Sequence, residues 1–382
     1  MIPHGAKKDP AFEVTRPQIA AMSALTILAL VVASVYSAGR ANLTISSHDV
    51  AGAVMPPGMP ARRDLSAASM RDMAAANVRA VRYEAPVDGR GDQPLEPRVE
   101  GDVKVFELEA SVIGWSILPR VRVTAYAFNG QVPGPRIRVT EGDRVRLIVR
   151  NSLPEPTSVH WHGLVVPNAM DGVASITQAP IPPGGSYTYE FEARQAGTYF
   201  YHSHLEPDRQ QGLGMYGALI VDPRSTPAAR AGPTVYDKEL VVELQEWLVK
   251  DGYTFPAMPM DGMQPNYFTI NGKAFPATET VHLKVGERLL VRFIGSGSGF
   301  IHPMHIHGGP FTIVATDGNV VPEGARIQKD TVNVGPGERY DVIWMAREPG
   351  KWLLHCHINH HTTNDNHEDE GAGGLTLILD VS

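Results

Sequence analysis

Four histidine pairs, each split by a single residue, punctuate this chain: His160-Trp161-His162, His202-Ser203-His204, His305-Ile306-His307 and His355-Cys356-His357. On a β-strand, side chains two positions apart leave the same face, roughly 6–7 Å from one another. Each pair is therefore suited to present two imidazoles to one metal cluster. The only cysteine of the 382 residues lies inside the fourth pair and points the opposite way. One strand is then expected to hold a thiolate-bound metal on one side and a histidine-bound cluster on the other, an arrangement that passes electrons between two metal sites.

The rest of the chain supplies the strands this needs. From Val103 onward, β signals dominate. Val145, Leu147 and Val149 alternate with the arginines of residues 144–150, and Tyr187, Tyr189 and Phe191 alternate with Thr188, Glu190 and Glu192. Pro-Gly turns recur at Pro133-Gly134, Pro183-Gly184 and Pro336-Gly337, within a total of 31 prolines and 37 glycines that suits many short strands. Such spacing implies a sandwich or barrel. A loose internal repeat is also legible. Tyr126-Ala127-Phe128-Asn129-Gly130 leads through Glu141-Gly142-Asp143 to the first histidine pair, and Phe268-Thr269-Ile270-Asn271-Gly272 leads through Val285-Gly286-Glu287 to the third. The expected organisation is all-β, with two consecutive similar domains at 101–228 and 229–382.

The N-terminal part reads differently. Lys7, Lys8 and Arg16 precede an uncharged, largely apolar run over 19–38 that Arg40 closes. Twenty residues is just long enough to cross a bilayer as a helix, and the small residues Ser37, Ala38 and Ala41 also suit cleavage. Residues 1–41 are expected to be a signal peptide or membrane anchor, which places the protein outside the cytoplasm. No twin arginine precedes the run. Residues 42–100 read as a spacer with a helix near 64–80. The net charge of −7 argues against a nucleic-acid partner, and a single cysteine rules out an intrachain disulfide.

A lone His-x-His is weak evidence, because strand imidazoles are mostly surface or satisfied core groups. Four pairs in matching places of a duplicated domain are different, and they use eight of the 15 histidines, with His302, His360 and His361 close beside them. The motifs HWHG at 160–163, HSH at 202–204, HPMHIHG at 302–308 and HCHINHH at 355–361 resemble those of the multicopper oxidases, the laccases and cuprous oxidases built from cupredoxin domains. The resemblance covers roughly residues 103–382. It implies two cupredoxin-like Greek-key β-sandwich or barrel domains and four coppers per chain: one type 1, one type 2 and two type 3. By it, His160 and His305 bind the type 2 copper. His162, His202, His204, His307, His355 and His357 bind the type 3 pair, and His302, Cys356 and His361 bind the type 1 copper. A His₂Cys set suits a blue electron-transfer site. Donor electrons entering there would reduce dioxygen to water at the other three coppers. In two-domain members of the family, a homotrimer sets domain 1 of one subunit against domain 2 of the next.

Asp171 matches the family's acid near the type 2 copper; an ordinary Asp-Gly turn is the alternative reading. The chain departs from the family in two places. Thr362 stands where an acid often follows the last type 1 histidine, and no methionine follows Met345. The axial position thus falls on Asn366 when counted from Cys356, or on Ala372 when matched from the closing strand, and residues 362–370 read as an insertion. Met258, Met260 and Met263 offer thioethers that suit Cu(I) and equally suit apolar filling. Two other readings compete: a copper nitrite reductase, whose catalytic copper uses three histidines, and a non-enzymatic copper-binding protein. The electron donor stays open among phenols, Cu(I), Mn(II) and a partner protein.

Overall fold

The computed structural model describes residues 76–224, 235–257, 264–297 and 299–382, together with Arg16, Ile27 and Leu28. Nearly all of the apolar segment 19–38, most of the spacer and its expected helix, and the methionine cluster at 258–263 lie outside the described residues. Where the end of that expected helix is described, Val78–Ala80 makes a 3₁₀ turn. Among the described residues no helix is long and apolar enough to cross a membrane.

Strands up to Asp222 form two sheets. β1 (Tyr83–Glu84), β2 (Arg98–Glu100), β3 (Val103–Leu118), β4 (Val121–Phe128), β6 (Arg144–Asn151) and β8 (Ser186–Glu192) make the larger one. β5 (Ile137–Thr140), β7 (Val159–His162), β9 (Gly197–Ser203) and β10 (Tyr216–Asp222) make the other, in the order β5-β10-β9-β7. Strands from Lys238 onward form a second such pair. Its eight-stranded sheet holds β11 (Lys238–Lys250), β12 (Tyr253–Pro256), β13 (Tyr267–Ile270), β15 (Arg288–Ile294), β17 (Phe311–Thr316), β18 (Asn319–Val320), β19 (Gln328–Lys329) and β21 (Arg339–Met345). Its five-stranded sheet runs β14 (Thr280–Leu283), β23 (Thr376–Val381), β22 (Gly350–Cys356), β16 (His302–Ile306) and β20 (Thr331–Val334).

Alternation decides which face of each strand is buried. In β6, Val145, Leu147 and Val149 are buried while the arginines face outward. Arg146 then meets Glu190 on β8, its direct cross-strand neighbour.

The repeat legible in the sequence is also a repeat of structure. Asn129 and Asn271 both adopt the left-handed conformation, with φ of 51° and 50°, and each is followed by a left-handed glycine. Asn129 accepts from the backbone N–H of Glu109 and donates to the carbonyl of Glu107 on β3. Asn271 does the same with Glu243 and Val241 on β11. Each turn is thus pinned to the long strand that opens its domain, and that strand pairs in parallel with the second strand after the turn, β3 with β6 and β11 with β15.

The first domain packs on the eight-stranded sheet of the second. Phe200 and Ala218 from β9 and β10 share an apolar cluster with Val241 and Ile294. Beside it, Arg292 binds Glu239, Asp341 and the Thr198 hydroxyl, and Arg138 binds Asp222 and Glu239. Arg292 and Asp341 are buried and paired, as buried charges must be, whereas Arg138 and Asp222 are partly exposed. The five-stranded sheet, which carries the last two histidine pairs, takes no part in these contacts.

Candidate metal centres

Within the first domain, β7 pairs with β9 so that His160 stands opposite His202. Trp161, between the two histidines of β7, turns inward and is completely buried. Period-two alternation therefore holds: the indole fills the core and the imidazoles leave on the other face. His160, His162 and His202 bring one ring nitrogen each within 4.8 Å of one another. His204, one step beyond β9, places its ring 5.4 Å from His160 and 6.0 Å from His202.

The other half repeats this register. β16 pairs with β22, and His305 stands opposite His355. His305, His307 and His355 form a second convergent group, with the exposed His357 ring 5.6 Å from both His305 and His355. An open hollow of about 620 Å³ lies beside His305 and His307, bordered also by Gln328, Lys329 and Asp330.

Backbone carbonyls orient these rings. His160 Nδ1 lies 2.7 Å from the Asp171 carbonyl, His202 Nδ1 2.9 Å from that of Ser203, His305 Nδ1 2.7 Å from that of Asp330 and His355 Nδ1 2.8 Å from that of Cys356. A carbonyl only accepts, so each Nδ1 carries the proton and each Nε2 offers a lone pair toward its neighbours, the usual support for a metal-binding imidazole. Facing nitrogens follow: His202 Nε2 is 3.3 Å from His162 Nδ1, and His355 Nε2 is 3.0 Å from His307 Nε2. Burial disfavours the charged form of four of these rings. It pushes His202 down to about 3, and burial with the nearby Arg339 charge takes His162 to about 4. His307 and His355 are lowered too, again by burial first.

The two sets do not meet within one chain. Among the described residues, no metal-binding group combines a histidine of the first domain with one of the second. His160 and His305, expected to share one copper, sit in different half-sites. The packing explains this, because the first domain rests on the sheet of the second that carries no histidine pair.

The third group is buried. His302, Cys356 and His361 are between 1 and 3% exposed. His302 Nδ1 is 3.1 Å from His361 Nδ1, and Cys356 Sγ is 3.5 Å from His361 Nδ1 and 4.0 Å from His302 Nδ1. The point equidistant from these three atoms lies about 2.1 Å from each (the product of the sides over four times the area), close to the roughly 2.0–2.3 Å spanned by nitrogen and thiolate bonds to a metal such as zinc. The donor set and its spacing fit copper in a His₂Cys site. Without metal, burial pushes the Cys356 thiol up to about 12 and His361 down to about 3. His360 turns away, its Nε2 facing the Pro265 carbonyl at 3.2 Å.

Asp171 lies beside His160, its carbonyl oxygen at 2.7 Å and its carboxylate oxygen at 3.5 Å from the same ring nitrogen. Within residues 362–370 Asn364 bridges His367, and Asp369 bridges Ala372 just beyond the segment. Two residues at the buried site were not read as site residues from the sequence. Glu246 places its Oε1 2.6 Å from His302 Nε2, and Phe268 stacks on His361 with ring centres 4.2 Å apart. β11 carries three acids, Glu239, Glu243 and Glu246, so its sequence offered no signal that singled out Glu246.

Two family models described as multicopper oxidase match residues 110–226 and 255–366. Among solved structures, a blue copper oxidase from Nitrosomonas europaea is 36% identical with a TM-score of 0.66, over 72% of this chain and 85% of that one. The multicopper oxidase mgLAC is 35% identical with a TM-score of 0.65, over 73% of this chain and 86% of that one. Copper resistance protein A of Pseudomonas syringae pv. tomato is 32% identical over 64% of this chain and 45% of its own length. The chain spans about half the length of the curated relatives it matches.

Proposed function

This chain belongs to the multicopper oxidase family, and on that premise we propose that it oxidises a small-molecule or metal-ion donor one electron at a time and reduces dioxygen to water. Bound copper, four ions per chain, would supply the redox chemistry. His302, Cys356 and His361 would hold the type 1 ion. His160 and His305 would hold the type 2 ion, and His162, His202, His204, His307, His355 and His357 the type 3 pair. Asp171 would carry protons to the histidine cluster. The observation that carries the reading is the placement of Cys356: its sulfur closes the buried triangle, while His355, its neighbour in the chain, belongs to the second half-site. A thiolate ligand and a cluster ligand are thus joined by one peptide bond, a short covalent path for electrons.

The half-sites of one chain face different surroundings, so the eight-histidine cluster would form between chains. A ring built from one repeated head-to-tail interface closes as a homotrimer, with the first domain of each subunit seated at the hollow beside His305 and His307 of the next. The basic and apolar character of residues 7–40 supports an extracytoplasmic location, exported or anchored through residues 19–38.

Copper content measured together with dioxygen uptake over a panel of donors tests the function. Four coppers per chain with uptake is the expected result. Two coppers with nitrite turnover would replace this reading by a nitrite reductase, and turnover with no donor would leave a copper-binding protein.

A further inference from the structure

The buried pocket has an outer layer. Glu246 on β11 and His302 are each 1% exposed, and Oε1 of the acid lies 2.6 Å from Nε2 of the ring. A carboxylate oxygen accepts, so the proton of His302 sits on Nε2 and the Nδ1 lone pair is left for the triangle with Cys356 and His361. The pairing of β11 with β13 completes the wall, because Glu246 is the register partner of Phe268, whose ring covers His361. Gly297 reserves the space for the acid. A Cβ there would stand 2.3 Å from Glu246 Oε2 and 2.5 Å from Oε1.

We propose that Glu246 is a positioning residue that acts through His302, locking its Nε2–H tautomer and holding the reduction potential of the His302–Cys356–His361 centre low. This rests on the reading that the centre takes copper. Charge counting gives the direction. A divalent ion and the Cys356 thiolate leave the pocket at +1, and the Glu246 carboxylate brings it to zero. After one electron arrives, the same groups sum to −1. Water does not screen charge in a pocket this buried, so the neutral, oxidised arrangement is favoured. The hydrogen bond acts in the same direction, since an imidazole donating to a carboxylate is the stronger ligand.

The metal-free protein gives one readout. Nitrogen-15 NMR should find His302 as the Nε2–H tautomer in the wild type and as a tautomer mixture in Glu246→Leu. The copper-loaded protein gives another. Glu246→Gln keeps an acceptor oxygen and loses the charge, so the blue band should persist while the oxidised-to-reduced equilibrium shifts at least tenfold toward Cu(I), about 59 mV for one electron. Gly297→Ala pushes the acid aside without changing its chemistry and should shift the potential in the same direction, which keeps the test open if Glu246 variants fail to fold. An unchanged tautomer, or an oxidised-to-reduced equilibrium shifted less than tenfold from wild type in both Glu246→Gln and Gly297→Ala, overturns the proposal. A wild-type protein that takes up no copper at Cys356 overturns the functional reading instead, and the tautomer measurement then judges Glu246 by itself.

Discussion

Asp171 offers two different groups to His160, and two substitutions separate them. Its backbone carbonyl, at 2.7 Å, holds the ring; its carboxylate, at 3.5 Å and one-third exposed, does not. Asp171→Asn keeps the carbonyl and removes only the ionisable oxygen. Copper content and reduction of the type 1 centre should therefore survive, while turnover falls by about 10²–10⁴-fold, the usual effect of losing one proton-transfer group, or about 3–5 kcal/mol of barrier. Gly172→Ala attacks the other group. Gly172 has φ +83°, and a Cβ there would stand 1.8 Å from the Val159 carbonyl oxygen. The Asp171 carbonyl must then move and release His160, so copper should be lost from the histidine cluster while the blue centre remains. The assay is copper analysis beside oxygen uptake and donor bleaching of the visible band. Undiminished turnover in Asp171→Asn across the working pH range would refute the proton role and return Asp171 to a turn residue. Equal copper loss in both variants would refute the separation of the two groups.

Cys356→Ser should abolish the intense visible band and donor oxidation while leaving the fold in place, since serine is close in size to the buried thiol; a retained band would contradict the type 1 assignment. Acid should destabilise the metal-free protein in a defined window. Burial lowers His202 and His361 to about 3, whereas both titrate near 6.5 when unfolded. The unfolded chain thus binds the extra protons below about pH 6.5, and the native state loses about 1.4 kcal/mol per pH unit for each histidine as pH falls from there toward about 3. Denaturant midpoints measured from neutral pH down to about 4.5 should show this slope, and His202→Asn should flatten it. An unaltered slope in that variant would contradict the linkage.

Much of this fold was legible because its signals are local. Alternation in residues 144–150 and the Asn-Gly turns at 129 and 271 each depend on neighbours a few residues away, and they reappear as buried strand faces and left-handed clamps. The matched His160–His202 and His305–His355 registers follow from the same duplication. Glu246 was not legible because its partner lies 56 residues along the chain, and nothing local to β11 marks one acid as facing a metal pocket; Glu243, in the same strand, is equally buried. Sequence spacing also carries no record of which sheet packs on which. That the first domain rests on the eight-stranded sheet is decided by Phe200, Ala218, Val241 and Ile294 and the ions around Arg292, contacts that only the folded chain brings together.

If the oxygen-reducing cluster forms between chains, two inactive variants should rescue one another. His162→Ala removes a ligand from the first half-site and His307→Ala one from the second, and each protein alone should be inactive. After subunit exchange at equal amounts, an interface is intact only when a subunit with a sound first domain meets one with a sound second domain, which random assortment gives to about a quarter of the interfaces of a closed ring. Oxygen uptake should therefore recover to about a quarter of the wild-type value. No recovery despite demonstrated exchange, or full activity from a monomer by light scattering, would contradict the account.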